Sequence, residues 1–114
     1  MSEWERVCAL DALTPDRGAA ALVGGHQVAV FRLSAGDVHA VDHLDPFSRA
    51  NVMARGLVGS RQGVPTIASP MHKQSFDLRT GQCLDDPDVS LRVWPTRVSG
   101  GWVEILNEAR SGAA

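Results

Sequence analysis

Ser69-Pro70-Met71-His72-Lys73-Gln74-Ser75-Phe76-Asp77-Leu78-Arg79-Thr80-Gly81-Gln82-Cys83 is the stretch that decides how this chain is read. It opens on a proline-containing loop with a histidine near its tip and enters a short strand over Ser75 to Arg79. It then turns tightly through Arg79-Thr80-Gly81-Gln82 into Cys83-Leu84. Immediately upstream, Val64 to Ser69 reads as a second strand. The loop is therefore carried between two strands, and the question is what it holds.

Outward from there the pattern stays β. Trp4 to Ala9 makes a first strand, and Asp11 to Asp16 a loop or short helical turn punctuated by Pro15. Ala19 to Val23 and Gln27 to Leu33 flank Gly24-Gly25-His26, a hairpin signal resting on glycine's access to positive φ. Val38 to Asp42 alternates apolar and polar residues as a half-buried strand does. From Asp42 to Gln62 the periodicity weakens, which predicts a loop and a connection. Leu91 to Val98 and Trp102 to Leu106 form a last hairpin across Ser99-Gly100-Gly101. Short strands separated by glycine-rich turns predict an all-β, antiparallel sandwich or partly closed barrel. One domain over 1–107 and a flexible tail over 108–114 are expected.

The 114 residues carry a formal net charge of −2, so no basic field exists to attract nucleic acid or anionic lipid. No apolar run approaches the roughly 20 residues of a membrane span. The acidic start, Met1-Ser2-Glu3-Trp4-Glu5, lacks the basic and apolar regions of an export signal, and a cytoplasmic protein is expected. Cys8 and Cys83 stand alone, outside any CxxC or Cys/His cluster, and read as small buried hydrophobes. His39 and His43 are four apart, which in a strand separates them by about 13 Å, too far for one metal ion. Asp85-Asp86-Pro87-Asp88 reads as a solvated turn, since neither the glycine nor the terminal glutamate of a calcium loop accompanies it. Neither a serine-nucleophile elbow nor a nucleotide-binding fingerprint is present.

Ser69-Pro70-Met71-His72, followed by Phe76 to Gly81, resembles the second ligand box of a Rieske iron–sulfur domain with serine in place of its cysteine. Asp45-Pro46-Phe47 resembles the first box with both ligands replaced. A Rieske cluster takes two thiolates on one iron and two imidazoles on the other. The degenerate positions Asp45, Phe47, Ser69 and His72 offer one imidazole and no sulfur. With Arg55-Gly56-Leu57-Val58, Trp4 to Cys8 and Val28 to Arg32, the set resembles the small subunit of the assimilatory NAD(P)H-dependent nitrite reductase, over about Trp4 to Leu106.

That resemblance implies a Rieske-like β-sandwich with a small loop subdomain and no [2Fe-2S] cluster. It implies a cytoplasmic accessory subunit, without catalytic residues, of an enzyme that reduces nitrite to ammonium. FAD, siroheme and an iron–sulfur cluster are expected in the large catalytic subunit, the expected partner. Phe47, Met71 and His72 are candidates for docking it. Phe47 is also expected to refill the former site by packing. A Rieske-type ferredoxin and a freestanding β-sandwich interaction module are the alternatives.

Overall fold

The computed structural model describes residues 3–110. Its strands are β1 (Trp4–Ala9), β2 (Gly18–Val23), β3 (His26–Arg32), β4 (Val38–Asp42), β5 (Leu57–Arg61), β6 (Val64–Ala68), β7 (Ser75–Asp77), β8 (Val93–Trp94), β9 (Thr96–Ser99) and β10 (Trp102–Leu106). They form three antiparallel sheets, ordered β1-β10-β9, β2-β3-β4-β8 and β5-β6-β7. Among the described residues no helix is long and apolar enough to cross a membrane.

The four-stranded sheet is the middle layer, and β3 shows why. Val28, Ala29, Val30 and Phe31 are all buried, so both faces of this strand meet apolar partners. Successive side chains point to opposite faces of a strand. Ala29 and Phe31 accordingly join one core with Val41, Met53, Ile67, Phe76, Leu78 and Leu91. Val28 and Val30 join the other with Val23, Ala40, Trp94, Val103 and Ile105. The β1-β10-β9 sheet covers the second core. A bulge between Arg6 and Cys8 lets consecutive residues Val7 and Cys8 both pack against it. The β5-β6-β7 sheet covers the first core and carries the loop subdomain.

Three two-residue hairpins turn through left-handed pairs: Gly24-Gly25, Gln62-Gly63 and Gly100-Gly101. The first and third match the sequence reading. The second corrects it, because Leu57–Arg61, read as connection, is strand β5 paired in register with Val64–Ala68. The signal was a two-residue Gln-Gly turn between two short runs, and the lone exposed Leu57 and Gly59 obscured the alternation. Leu91 to Val98 is likewise not one strand. Pro95 divides it, so Val93–Trp94 pairs with β4 in the middle sheet while Thr96–Ser99 pairs with β10 in the outer one. Proline cannot donate to a ladder, and here it marks the crossing between layers. The strand at Ser75 ends at Asp77, whose carboxylate accepts the Arg79 N–H at 2.8 Å and starts the turn.

The expected tail begins with a docked stretch. Arg110 and Val93 exchange backbone hydrogen bonds at 2.8 Å in both directions, and Ala109 packs on the second core. Residues 111–114 lie outside the described residues.

Candidate functional site

The two loops that resemble Rieske ligand boxes fold into the same conformation. In the first, Asp45 N–H donates to the Ala50 carbonyl and Arg49 N–H to the Asp45 carbonyl, each at 2.8 Å. In the second, Ser69 N–H donates to the Gln74 carbonyl and Lys73 N–H to the Ser69 carbonyl, each at 2.9 Å. The fifth residue of each loop is left-handed, Arg49 at φ 65° and Lys73 at φ 62°. Proline follows the first residue in both loops, at Pro46 and Pro70. The first side chain then accepts the N–H two residues on: Phe47 N–H to Asp45 Oδ1 at 2.9 Å, and Met71 N–H to Ser69 Oγ at 3.2 Å.

These two equivalent loops meet head to head. Ser69 Oγ donates to Asp45 Oδ2 at 2.5 Å, and Asp45 is 0% exposed and Ser69 1%. Ser48 Oγ donates to the same carboxylate oxygen at 3.0 Å. Burial alone would push the Asp45 carboxyl up. The hydrogen bonds from Ser69, from the Phe47 N–H and from Ser48 outweigh it and hold the group below the usual carboxylate range. The buried charge is thus fixed by donors alone, a short charge-assisted bond among them.

The other two positions do different things. Phe47 is half-buried and packs against the first core, its ring centroid 6.1 Å from that of Phe76 in a tilted arrangement. The ring is thus packed on the core but not fully enclosed. Met71 is 54% exposed, and His72 is exposed with no hydrogen bond or ion pair among the described residues. Of the three docking candidates, Met71 and His72 therefore stand at the surface and Phe47 only partly so.

His43, set aside at the sequence level as half of a metal pair that strand spacing rules against, fastens the first loop. Its Nδ1 accepts the Ala54 N–H at 3.1 Å, and its carbonyl accepts the Val52 and Met53 N–H groups at 3.0 Å. Burial, reinforced by the nearby Arg55 charge, pushes its imidazole down and favours this neutral, accepting form. No group of three metal-ligating side chains exists among the described residues. The repeat that sequence reading missed is visible in retrospect: Asp45-Pro46-Phe47-Ser48-Arg49 and Ser69-Pro70-Met71-His72-Lys73 share proline, a large apolar residue and a basic residue at the same offsets.

The profile of the Rieske-like [2Fe-2S] domain family matches residues 3–106. The nitrite reductase (NADH) small subunit of Salmonella typhimurium is 42% identical over 106 residues, covering 92% of this chain and 98% of that one. A crystal structure of a proposed NADH-dependent nitrite reductase small subunit from Mycobacterium tuberculosis superposes with a TM-score of 0.90 at 49% identity, covering 93% of this chain and 96% of that one. A third relative is much longer. A nitrite reductase [NAD(P)H] large subunit from Klebsiella oxytoca is 42% identical over 106 residues, which span 92% of this chain but 11% of that one.

The family's cluster needs two thiolates and two imidazoles. Asp45 and Ser69 are instead bonded to each other through oxygen, Phe47 has no lone pair, and His72 stands alone. The chain's two thiols are elsewhere, Cys83 within the first core and Cys8 against the second, on opposite faces of the middle sheet. The residues present do not fit the cluster. The chain belongs to the Rieske-like [2Fe-2S] domain family and, within it, to the small subunits of NADH-dependent nitrite reductase.

Proposed function

We propose that this chain is the small accessory subunit of a cytoplasmic NAD(P)H-dependent nitrite reductase that reduces nitrite to ammonium in nitrate assimilation. It binds the large catalytic subunit, carries no catalytic residue and holds no iron–sulfur cluster. FAD, siroheme and an iron–sulfur cluster belong to the large subunit. The observation that carries this reading is the 2.5 Å hydrogen bond from Ser69 to Asp45, which joins the two loops by oxygen and a proton where the cluster-bearing relatives need sulfur and iron. The loop tips remain a contact for the partner. Met71, exposed beside His72 and Lys73, gives an adaptable apolar side chain framed by polar ones.

Two measurements test the reading. Anaerobically purified protein should be colourless and free of stoichiometric iron and sulfide; finding both at two per chain would refute the cluster-free reading. Tagged chain from nitrate-grown native cells should capture the large subunit, identified by mass spectrometry. Met71→Asp, folded by circular dichroism, should lose that capture if the tips dock. Retention by the folded variant would remove the tips from the interface.

A further inference from the structure

The outward face of the β1-β10-β9 sheet is built unlike a solvated sheet face. Its central strand shows Trp102, Glu104 and Leu106 on one side, flanked by Trp4 and Arg6 from β1 and by Arg97 from β9. Arg6 and Arg97 both stand opposite Glu104 in register. Arg97 Nε donates to Glu104 at 2.7 Å while its guanidinium lies 4.3 Å from the Trp4 ring centroid. Arg6 approaches the same carboxylate at 3.9 Å and lies 4.7 Å from the Trp102 ring centroid. Two of the chain's three tryptophans are thus held on an outer face by two arginines that share one carboxylate.

An ion pair on a solvated face contributes little, about 0–1 kcal/mol, and needs no indole beside it. Trp102 leaves 40% of its surface exposed. Exposed tryptophan and arginine in fixed positions are the composition of an interface centre. The local balance of two guanidiniums to one carboxylate suits an acidic partner surface.

The position of the chain ends says which partner. Trp4 pairs with Leu106, and the Asn107 N–H donates to the Glu3 carbonyl at 2.8 Å, so the N-terminal end of the described residues leaves the domain at this sheet, while the C-terminal stretch runs on from it to pair Arg110 with Val93 of the middle sheet. In the Klebsiella large subunit the homologous 106 residues belong to a much longer chain. A junction at the Trp4 end there would leave beside this face and hold the face near the rest of that chain.

We infer that the Trp4–Arg6–Arg97–Trp102–Glu104 face is the surface by which this chain is anchored on the nitrite reductase large subunit, against an acidic patch. The inference rests on the subunit reading above and adds a surface to it. The loop pair lies on the opposite side of the middle sheet, over the first core, and is left to meet a separate part of the assembly.

The experiment uses the co-expressed complex of this chain with its large subunit. Oxidative footprinting should show Trp4 and Trp102 reacting several-fold more slowly in the complex than in the free subunit. Trp102→Ala, checked for an unchanged fold by circular dichroism, should weaken the dissociation constant about tenfold or more. Should that variant fail to fold, the footprint of the wild-type complex decides alone. An intact complex in which both tryptophans react at the free rate overturns the inference and leaves the subunit reading standing. Failure of wild-type chain to bind the large subunit at all overturns both.

Discussion

Asp45 is a carboxylate without exposure, and such a group survives burial only because its neighbours donate to it. Ser69 Oγ, Ser48 Oγ and the Phe47 N–H do so. Removing one donor leaves the charge less satisfied, whereas removing both ends together removes the problem. Asp45→Asn and Ser69→Ala should each destabilise the domain by about 1.5–3 kcal/mol, and the double variant by clearly less than the sum. Additive losses in urea denaturation would show that the two groups are not coupled. The same carboxyl sets an acid limit. Its folded pKa lies below the unfolded value of about 3.9, so its contribution is present above that pH and lost as pH falls through the folded value. His43 is also depressed, by burial and by Arg55, so its part is lost earlier, as pH falls below about 6.5. Acid unfolding should therefore show two stages of weakening. Asp77, whose burial is outweighed by Arg79, shares the lower stage, so Asp45→Asn should shrink that stage and leave the upper one unchanged; an unaltered lower stage would remove Asp45 as a source.

At the scale of elements, the two ligand loops and the hairpin after them carry the fold's specificity. Phe47 leans on Phe76 from the first loop while remaining half-exposed. Phe47→Ala should lower stability by about 1.5–3 kcal/mol, below the full core value for this truncation. A melting temperature unmoved by the change would mean that the ring contributes nothing to packing. The turn at Arg79 to Gln82 is stricter. Gly81 has φ 82°, and a Cβ there would stand 2.0 Å from the Leu91 carbonyl oxygen. Gly81→Ala should cost about 3 kcal/mol or more, combining backbone strain with displacement of main chain, and wild-type stability in this variant would contradict the close approach. Elements with strong local signals were legible: Gly24-Gly25 and Gly100-Gly101 announced their hairpins, and Ser69 to Cys83 announced the loop family. What escaped was either weakly marked in the local sequence or decided by distant partners. β5 has little alternation of its own and is a strand because β6 pairs with it. Thr96–Ser99 stays with β10 across the legible Gly100-Gly101 turn, but the assignment of Val93–Trp94 to another sheet depends on β4, far upstream in the chain. The donors around Asp45 are likewise up to 24 residues away.

For the molecule as a whole, the middle sheet makes two cores into one cooperative unit. Phe31 and Val30 are neighbours on β3 yet belong to different cores, so neither core can open without exposing a face of the strand that the other needs. Phe31→Ala and Val103→Ala, one from each core, should both shift a single calorimetric transition rather than split it, each by 2 kcal/mol or more in the range of about 2–5 typical of core truncations. Two resolved transitions in either variant would show that the layers melt separately.

The head-to-head loops have a consequence for how the protein comes into being. A domain whose two loops are tied by metal is finished only after a cofactor has been delivered, and its folding free energy includes that delivery. Here the tie is a serine hydroxyl on an aspartate, both encoded in the chain. Under the proposal above, the subunit matures without any assembly machinery and is indifferent to oxidants that dismantle clusters. Cells starved of iron should then accumulate it folded and protease-resistant in normal yield while its metal-dependent partner runs short, leaving the small subunit waiting for the large one.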